Sequence, residues 1–185
     1  MLIALLVIGG IGLLLIIMGI NYYNRFVRLK NKVEDSWSGI DVQLKRRYDL
    51  IPNLMETVKG YAKHEKDIFD NVADARARAL NAGGKGEKIA AENQLTGALR
   101  SVFALAENYP DLKANSNFLK FQQQLTGIED EIQMSRRYYN ATVREFNTGI
   151  AVFPANIIAG AFNFTPYQFF ELDDHSQREA PSVKF

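Results

Sequence analysis

Residues 2–20 run LIALLVIGGIGLLLIIMGI, and Asn21-Tyr22-Tyr23-Asn24 and the basic residues Arg25, Arg28, Lys30 and Lys32 follow at once. From Leu2 to Ile20 there is no charged side chain and almost nothing polar. At roughly 1.5 Å per residue, such a helix spans about the ~30 Å hydrocarbon layer of a bilayer. The two tyrosines fall where an aromatic belt sits, and the basic cluster falls where a charged flank sits. The expectation is an all-α protein tied to a membrane by one N-terminal transmembrane helix, with the anchor over residues 1–23.

A cleaved secretory leader has a basic region first, a shorter apolar core and a small-x-small cleavage site. Here nothing basic precedes the run, and Gly19-Ile20-Asn21-Tyr22-Tyr23 offers no such site. An uncleaved anchor is therefore expected. The chain has no cysteine, which removes lipoprotein acylation, thiol catalysis, disulfides and cysteine-based zinc sites together. Four basic residues lie just after the run and none before it. The positive-inside rule then puts Met1 outside and the body in the cytoplasm, as a single-pass protein of the cell membrane. The formal net charge is +1, with Lys and Arg dispersed among acids. Nucleic acid, which needs a basic face, is not an expected partner.

The body, expected as one domain over residues 24–172, carries apolar residues every three or four positions. Written as heptads, one set is Val33, Ile40, Arg47, Leu54, Tyr61, Ile68 and Ala75; its partner set is Trp37, Leu44, Ile51, Val58, Glu65, Val72 and Ala79. A seam of roughly seven heptads, about 70 Å long, predicts one extended coiled-coil-like helix. Arg47 and Glu65 interrupt the stripe. Pro52 lies inside it and cannot donate to the Tyr48 carbonyl, so a kink is expected there rather than a stop.

Asn81-Ala82-Gly83-Gly84-Lys85-Gly86 is a turn; its Gly-Lys pair lacks the following Ser or Thr of a phosphate loop. A second helix is expected from about Glu87 to Asn108, ended by Tyr109-Pro110-Asp111. A third starts near Asn115 or Ser116 with the stripe Phe118, Phe121, Leu125, Ile128, Ile132, Ser135, Tyr139, Thr142, Phe146 and Gly149. Short links favour antiparallel neighbours, which makes the body an elongated antiparallel helical bundle.

Between Glu145 and Glu171 there is no charge, although the stretch holds Phe146, Phe153, Phe162, Phe164, Tyr167, Phe169 and Phe170. Length would permit a second span, but Pro154, Pro166, Gly149 and Gly160 would leave backbone groups unsatisfied in lipid. Two readings stay open: a short helix over Pro154–Phe162 that caps the bundle, or an aromatic surface that meets lipid or another subunit. Residues 173–185 form a polar tail.

Several segments together resemble the LemA family: Arg46-Arg47-Tyr48-Asp49-Leu50-Ile51-Pro52-Asn53-Leu54, Val58-Lys59-Gly60-Tyr61 with His64-Glu65, and Arg136-Arg137-Tyr138-Tyr139-Asn140 with Val143 and Asn147. Phe153-Pro154-Ala155-Asn156 and Arg178-Glu179-Ala180-Pro181 agree as well. The resemblance runs from Asn24 onward in the family's order. It implies a bacterial-type membrane protein with one amino-terminal span and an antiparallel helical body, and it implies no activity.

Independent of that resemblance, chemistry is sparse. A di-metal carboxylate site needs Glu-x-x-His pairs, yet the residues three before His64 and His175 are Tyr61 and Leu172. The zinc-protease pattern is absent because Ile68, not His, stands four after His64. Glu129-Asp130-Glu131 fits a solvated face, and Asp173-Asp174-His175 an acidic tail. No catalytic residue, metal site or cofactor is expected. The polar residues within the stripes are the candidates instead: Arg47 with Asp49 and Asn53 close by, and Asn140 and Asn147 in the third helix. Either Arg47 snorkels out of the seam, or this polar belt fixes helix register or subunit pairing. With Phe153, Phe162 and Phe164 of the aromatic stretch, these residues make up the candidate register or interface set. The function expected is a non-enzymatic, membrane-anchored scaffold, a homo-oligomer that organises or shapes the bilayer. The alternative is an adaptor or sensor docking on another membrane protein, such as a protease or signalling enzyme.

Overall fold

The computed structural model describes residues 1–171. These fold as α1 (Leu2–Lys59), α2 (Lys66–Asn81), α3 (Lys85–Ala106), α4 (Pro110–Lys113), α5 (Ser116–Ala151) and α6 (Ala155–Ala161). The polar tail expected over 173–185, with Asp173-Asp174-His175 and Arg178–Pro181, lies outside the described residues. The opening of α1 is long and apolar enough to cross a membrane, and its apolar window is not buried anywhere in the protein.

The chain divides into two compact units. One unites Met1–Asp41 with Met134–Phe169. Here α1 and the second half of α5 run antiparallel, because rising numbers on one meet falling numbers on the other. Lys32 pairs with Glu145 at 2.8 Å, the Ser36 and Thr142 hydroxyls meet at 2.9 Å, and the Trp37 and Tyr139 rings lie 5.3 Å apart edge to face. Phe26, Val33, Ile40, Tyr139, Val143 and Phe146 are buried between them. Gly149 faces α1 here: a Cβ on it would meet Leu29 Cδ1 at 3.5 Å, an ordinary contact. The stripe drawn along the third helix is therefore its core face.

The other unit comprises Val42–Gln133 with Phe170 and Glu171. Its core gathers Leu44, Ile51, Leu54, Val58, Val72, Ala79, Leu95, Leu99, Val102, Leu112, Phe118 and Leu125. The turn between α2 and α3 is Ala82-Gly83-Gly84, and the Gly83 N–H donates to Glu87 Oε2 at 2.9 Å. Pro110 opens the single turn of α4, where its missing N–H costs nothing, rather than merely ending α3. Asn115 caps α5, its Oδ1 accepting from the N–H groups of Asn117 at 2.9 Å and Phe118 at 3.0 Å.

One expectation is corrected. The seam from Val33 to Ala79 is not a single helix: α1 stops at Lys59 and α2 begins at Lys66. A Cβ on Gly60 would come within 3.3 Å of the Thr57 carbonyl oxygen, a tight approach that glycine avoids. Tyr61, a member of the heptads, and Glu65, which interrupts them, are used in the turn instead. Tyr61 is exposed, its hydroxyl accepting from Asn115 Nδ2 at 2.8 Å, and Glu65 Oε1 accepts from the Tyr109 hydroxyl at 3.0 Å. Ala62 takes the buried place that the heptads give to Tyr61.

Pro52, by contrast, sits inside α1 with helix on both sides. It leaves the Tyr48 carbonyl without its i+4 donor. The side chain of Arg76, on α2, supplies the replacement: its Nε donates to that carbonyl at 2.9 Å.

Candidate functional site

Arg47 is the largest fully buried side chain among the described residues, at 2 % exposure. A guanidinium is held in such a place only when its charge is paired; here the two terminal nitrogens are met, while the buried Nε has no hydrogen-bond partner. Nη1 donates to Glu92 Oε2 at 3.3 Å and Nη2 to the Thr96 hydroxyl at 2.7 Å, and Nη2 also forms an ion pair with Glu129 Oε1 at 3.2 Å. Glu92 is itself buried, and its Oε1 accepts from the Tyr48 hydroxyl. Burial pushes the Glu92 carboxyl above its usual range, while Tyr48 and Arg47 pull it part of the way back. Three helices, α1, α3 and α5, are thus joined through one buried polar lock.

The other members of the expected belt lie elsewhere. Asp49 is exposed along an open groove with Arg46, Gln124 and Glu131, and Asn53 is exposed on the same helix. Asn140 and Asn147 belong to the first unit. Asn147 clamps an extended stretch of backbone: Nδ2 donates to the Tyr167 carbonyl and Oδ1 accepts from the Tyr167 N–H, both at 2.9 Å. The Tyr167 hydroxyl donates to Glu34 at 2.7 Å, and the Tyr139 hydroxyl to the Gln168 carbonyl at 3.0 Å. Burial raises both phenols, Tyr139 to about 12, and the neighbouring Glu34 carboxylate adds to the shift.

Aromatic residues gather where α1 leaves its apolar stretch. Phe164 lies 5.3 Å from Phe26 and 5.8 Å from Tyr23, and Phe162 lies 4.8 Å from Tyr23. Asn163 makes this turn-back with φ of 55°, a left-handed conformation that asparagine tolerates. Ala155 and Ala159 of α6 are buried with Phe26. Phe153, however, is 80 % exposed and Phe162 57 %.

Sequence reasoning finds Arg47 and misses its partners. Glu129-Asp130-Glu131 is not uniformly a solvated face, since Glu129 is half-buried on Arg47. Glu92 and Thr96 do not stand out in the sequence, although Glu92 lies three before Leu95 on the buried stripe of α3. A lone acid in one stripe and a lone arginine in another is the signal that pairs them. Among the described residues there is no group of three or more His, Cys, Asp or Glu side chains placed to hold a metal ion.

Comparison with known proteins agrees with the sequence resemblance. A model of the LemA family matches residues 36–185. Protein LemA of Metamycoplasma hominis is 29 % identical over 81 % of this chain and 70 % of its own length. Magnetosome protein MamQ 2 of Paramagnetospirillum magneticum is 25 % identical and MamQ of Magnetospirillum gryphiswaldense 24 %, each over 80 % of this chain. This chain spans 64 % of the length of those magnetosome proteins. None of these relatives bears an enzyme's name. The chain belongs to the LemA family.

Proposed function

We propose that this protein is a non-enzymatic scaffold, anchored in a membrane by the opening of α1, that self-associates at the membrane surface and organises or shapes the bilayer. The observation that carries the reading is the first part of α1. Its large side chains from Leu2 to Ile17 stand exposed, Leu6 at 68 % and Leu14 at 67 %, and the same helix continues into the folded body. So much apolar surface on one helix needs lipid or protein around it. Gly9, Gly10 and Gly12 have nothing within 4 Å, and small residues of this kind let a second copy's helix approach closely in lipid. Buried Arg47 pairs with Glu92, and Asn147 with the Tyr167 backbone, which speaks for architecture over catalysis. Relatives named as magnetosome proteins fit the same reading, since that name denotes membership of a cellular body and not a reaction.

By the positive-inside rule the body faces the cytoplasm. Gly84→Cys, in an open turn, is then shielded from impermeant thiol reagents in intact cells; rapid labelling there reverses the orientation. The scaffold itself is tested by the mass of the full chain in mild detergent, beside a chain starting at Asn24. A defined multi-subunit particle supports it, and loss of that particle without the anchor places the interface in the membrane. A monomer in both overturns self-association and leaves the adaptor reading, in which the body docks on another membrane protein.

A further inference from the structure

We propose that α6 and the turns flanking it form a second lipid contact, in which Phe153, Ile157 and Phe162 enter the boundary between headgroups and acyl chains of the bilayer that α1 crosses. The inference rests on the anchor reading above and adds a surface to it.

Position comes first. Ile158 of α6 packs on the last turn of the apolar segment: a Cβ on Gly19 would lie 3.6 Å from Ile158 Cδ1. Phe162 packs at a tilt against Tyr23, 4.8 Å away, and Phe164 packs edge to face on Phe26. Gly19 to Phe26 is about 10 Å of helix, comparable to the depth of a bilayer's polar interface. When α1 spans, α6 therefore lies at the level where hydrocarbon gives way to headgroups.

The chemistry of α6 fits that level and not water. Its inner face is closed by Ala155 and Ala159, which are buried. On the outer side, Ile157 of α6 is 61 % exposed, and Phe153 and Phe162 of the flanking turns 80 % and 57 %, with Asn156 a polar side chain among them. A helix facing water carries polar residues on its outer side. No charge occurs between Glu145 and Glu171, while Arg25 and Arg28 stand close by on α1, where they meet anionic headgroups. The exposed patch is continuous with the exposed apolar side chains of α1, which is why the occupant is lipid and not a second body. Attachment at two points fixes the rotation of α1 about its own axis, which a lone span leaves free.

The chain has no native cysteine, so single nitroxide labels need no altered background. Labels at Phe153→Cys and Ile157→Cys of the full chain, in vesicles of phosphatidylcholine and phosphatidylglycerol, are compared with Leu14→Cys in the span and Tyr138→Cys on the exposed side of α5. Power saturation with oxygen and a water-soluble nickel chelate reports depth. At 153 and 157 the oxygen-to-nickel accessibility ratio is expected to be several-fold above that at 138 and below that at 14. Ratios equal to that at 138, with 14 deep in lipid, overturn the α6 contact and leave the anchor standing. A water-like ratio at 14 overturns both. Labels shielded from both reagents, with dipolar broadening between copies, assign α6 to a second copy and overturn the lipid contact. Ile157→Cys carries the test alone if Phe153→Cys disturbs the turn.

Discussion

Arg47→Met removes a buried cation and leaves Glu92 behind, and the structure sets how much that costs. The guanidinium meets Glu92 at 3.3 Å, Thr96 at 2.7 Å and Glu129 at 3.2 Å. Glu129 is partly exposed and rehydrates, so its share is small. The Thr96 bond contributes about 1 kcal/mol. The larger part is the Glu92 carboxylate, stranded without its cation, for which removal of one partner of a buried pair costs about 3–5 kcal/mol in all. At roughly 2–4 °C per kcal/mol for a chain of this size, the melting temperature falls by about 6–20 °C.

The assay is thermal unfolding of the full chain in mild detergent, followed by helical circular dichroism. Glu92→Leu and the double variant Arg47→Met/Glu92→Leu complete a cycle. Because two apolar side chains replace a pair without stranding a charge, the double variant is expected to melt above Arg47→Met, with a coupling of about 2–3 kcal/mol. Acidity gives an independent check. A buried carboxyl whose folded pKa is raised binds its proton more tightly in the folded state. Its contribution to stability is then fullest below the unfolded pKa and is lost as pH rises through the folded one. Without Arg47 that cost grows at neutral pH, so the deficit of Arg47→Met shrinks as Glu92 is protonated. A deficit under about 1 kcal/mol at pH 7, or one additive with Glu92→Leu, would place Arg47 in water and refute the lock.

Asn147→Leu deletes both bonds to the Tyr167 backbone and should cost about 1–3 kcal/mol, with amide exchange accelerated in residues 163–169; unchanged exchange there would dismiss the clamp. Arg76→Met strands the Tyr48 carbonyl that Pro52 has freed and should cost about 1–3 kcal/mol. Adding Pro52→Ala restores an N–H for that carbonyl and should recover most of the loss in a urea melt. Tyr139, raised to about 12, binds its proton more tightly when folded, so its contribution holds below pH 10 and is lost as pH rises toward 12. Tyr139→Phe should flatten the alkaline decline in stability, and an unchanged decline would assign it to other groups.

How far the sequence reaches is clearest along the helices. A stripe such as Phe118 to Gly149 is set by one physical demand, the burial of one face, and its spacing states that demand directly. The ends are harder, because a turn can preserve the spacing. Between Val58 and Phe69 the chain leaves the helix for six residues, Gly60 to Glu65, close to one heptad, so the apolar rhythm resumes nearly in phase beyond it. Gly60 and the interruption at Glu65 are its traces, and Tyr61 and Glu65 each make a hydrogen bond to a residue some 44 or more positions away. Partners at that separation leave no local mark.

The same reasoning separates the two polar features of the body. Arg47 is conspicuous because it stands in an apolar stripe, whereas Glu92, Thr96 and Glu129 become meaningful only once three helices are brought together. Neither charge alone specifies a fold; a buried arginine with no acid, or a buried acid with no arginine, would favour unfolding. Their value lies in being satisfied in one alignment of α1, α3 and α5. Slipping α1 or α3 by one turn, about 5.4 Å, would break the contacts to Glu92 and Thr96 at once, and slipping α5 would break that to Glu129, while still allowing Leu, Ile and Val to pack. That makes the lock a determinant of register more than of total stability. It also sets the condition the double variant must meet: recovered melting temperature with a broadened transition would mark lost register, whereas recovered temperature with an equally sharp transition would show that apolar packing fixes the alignment unaided.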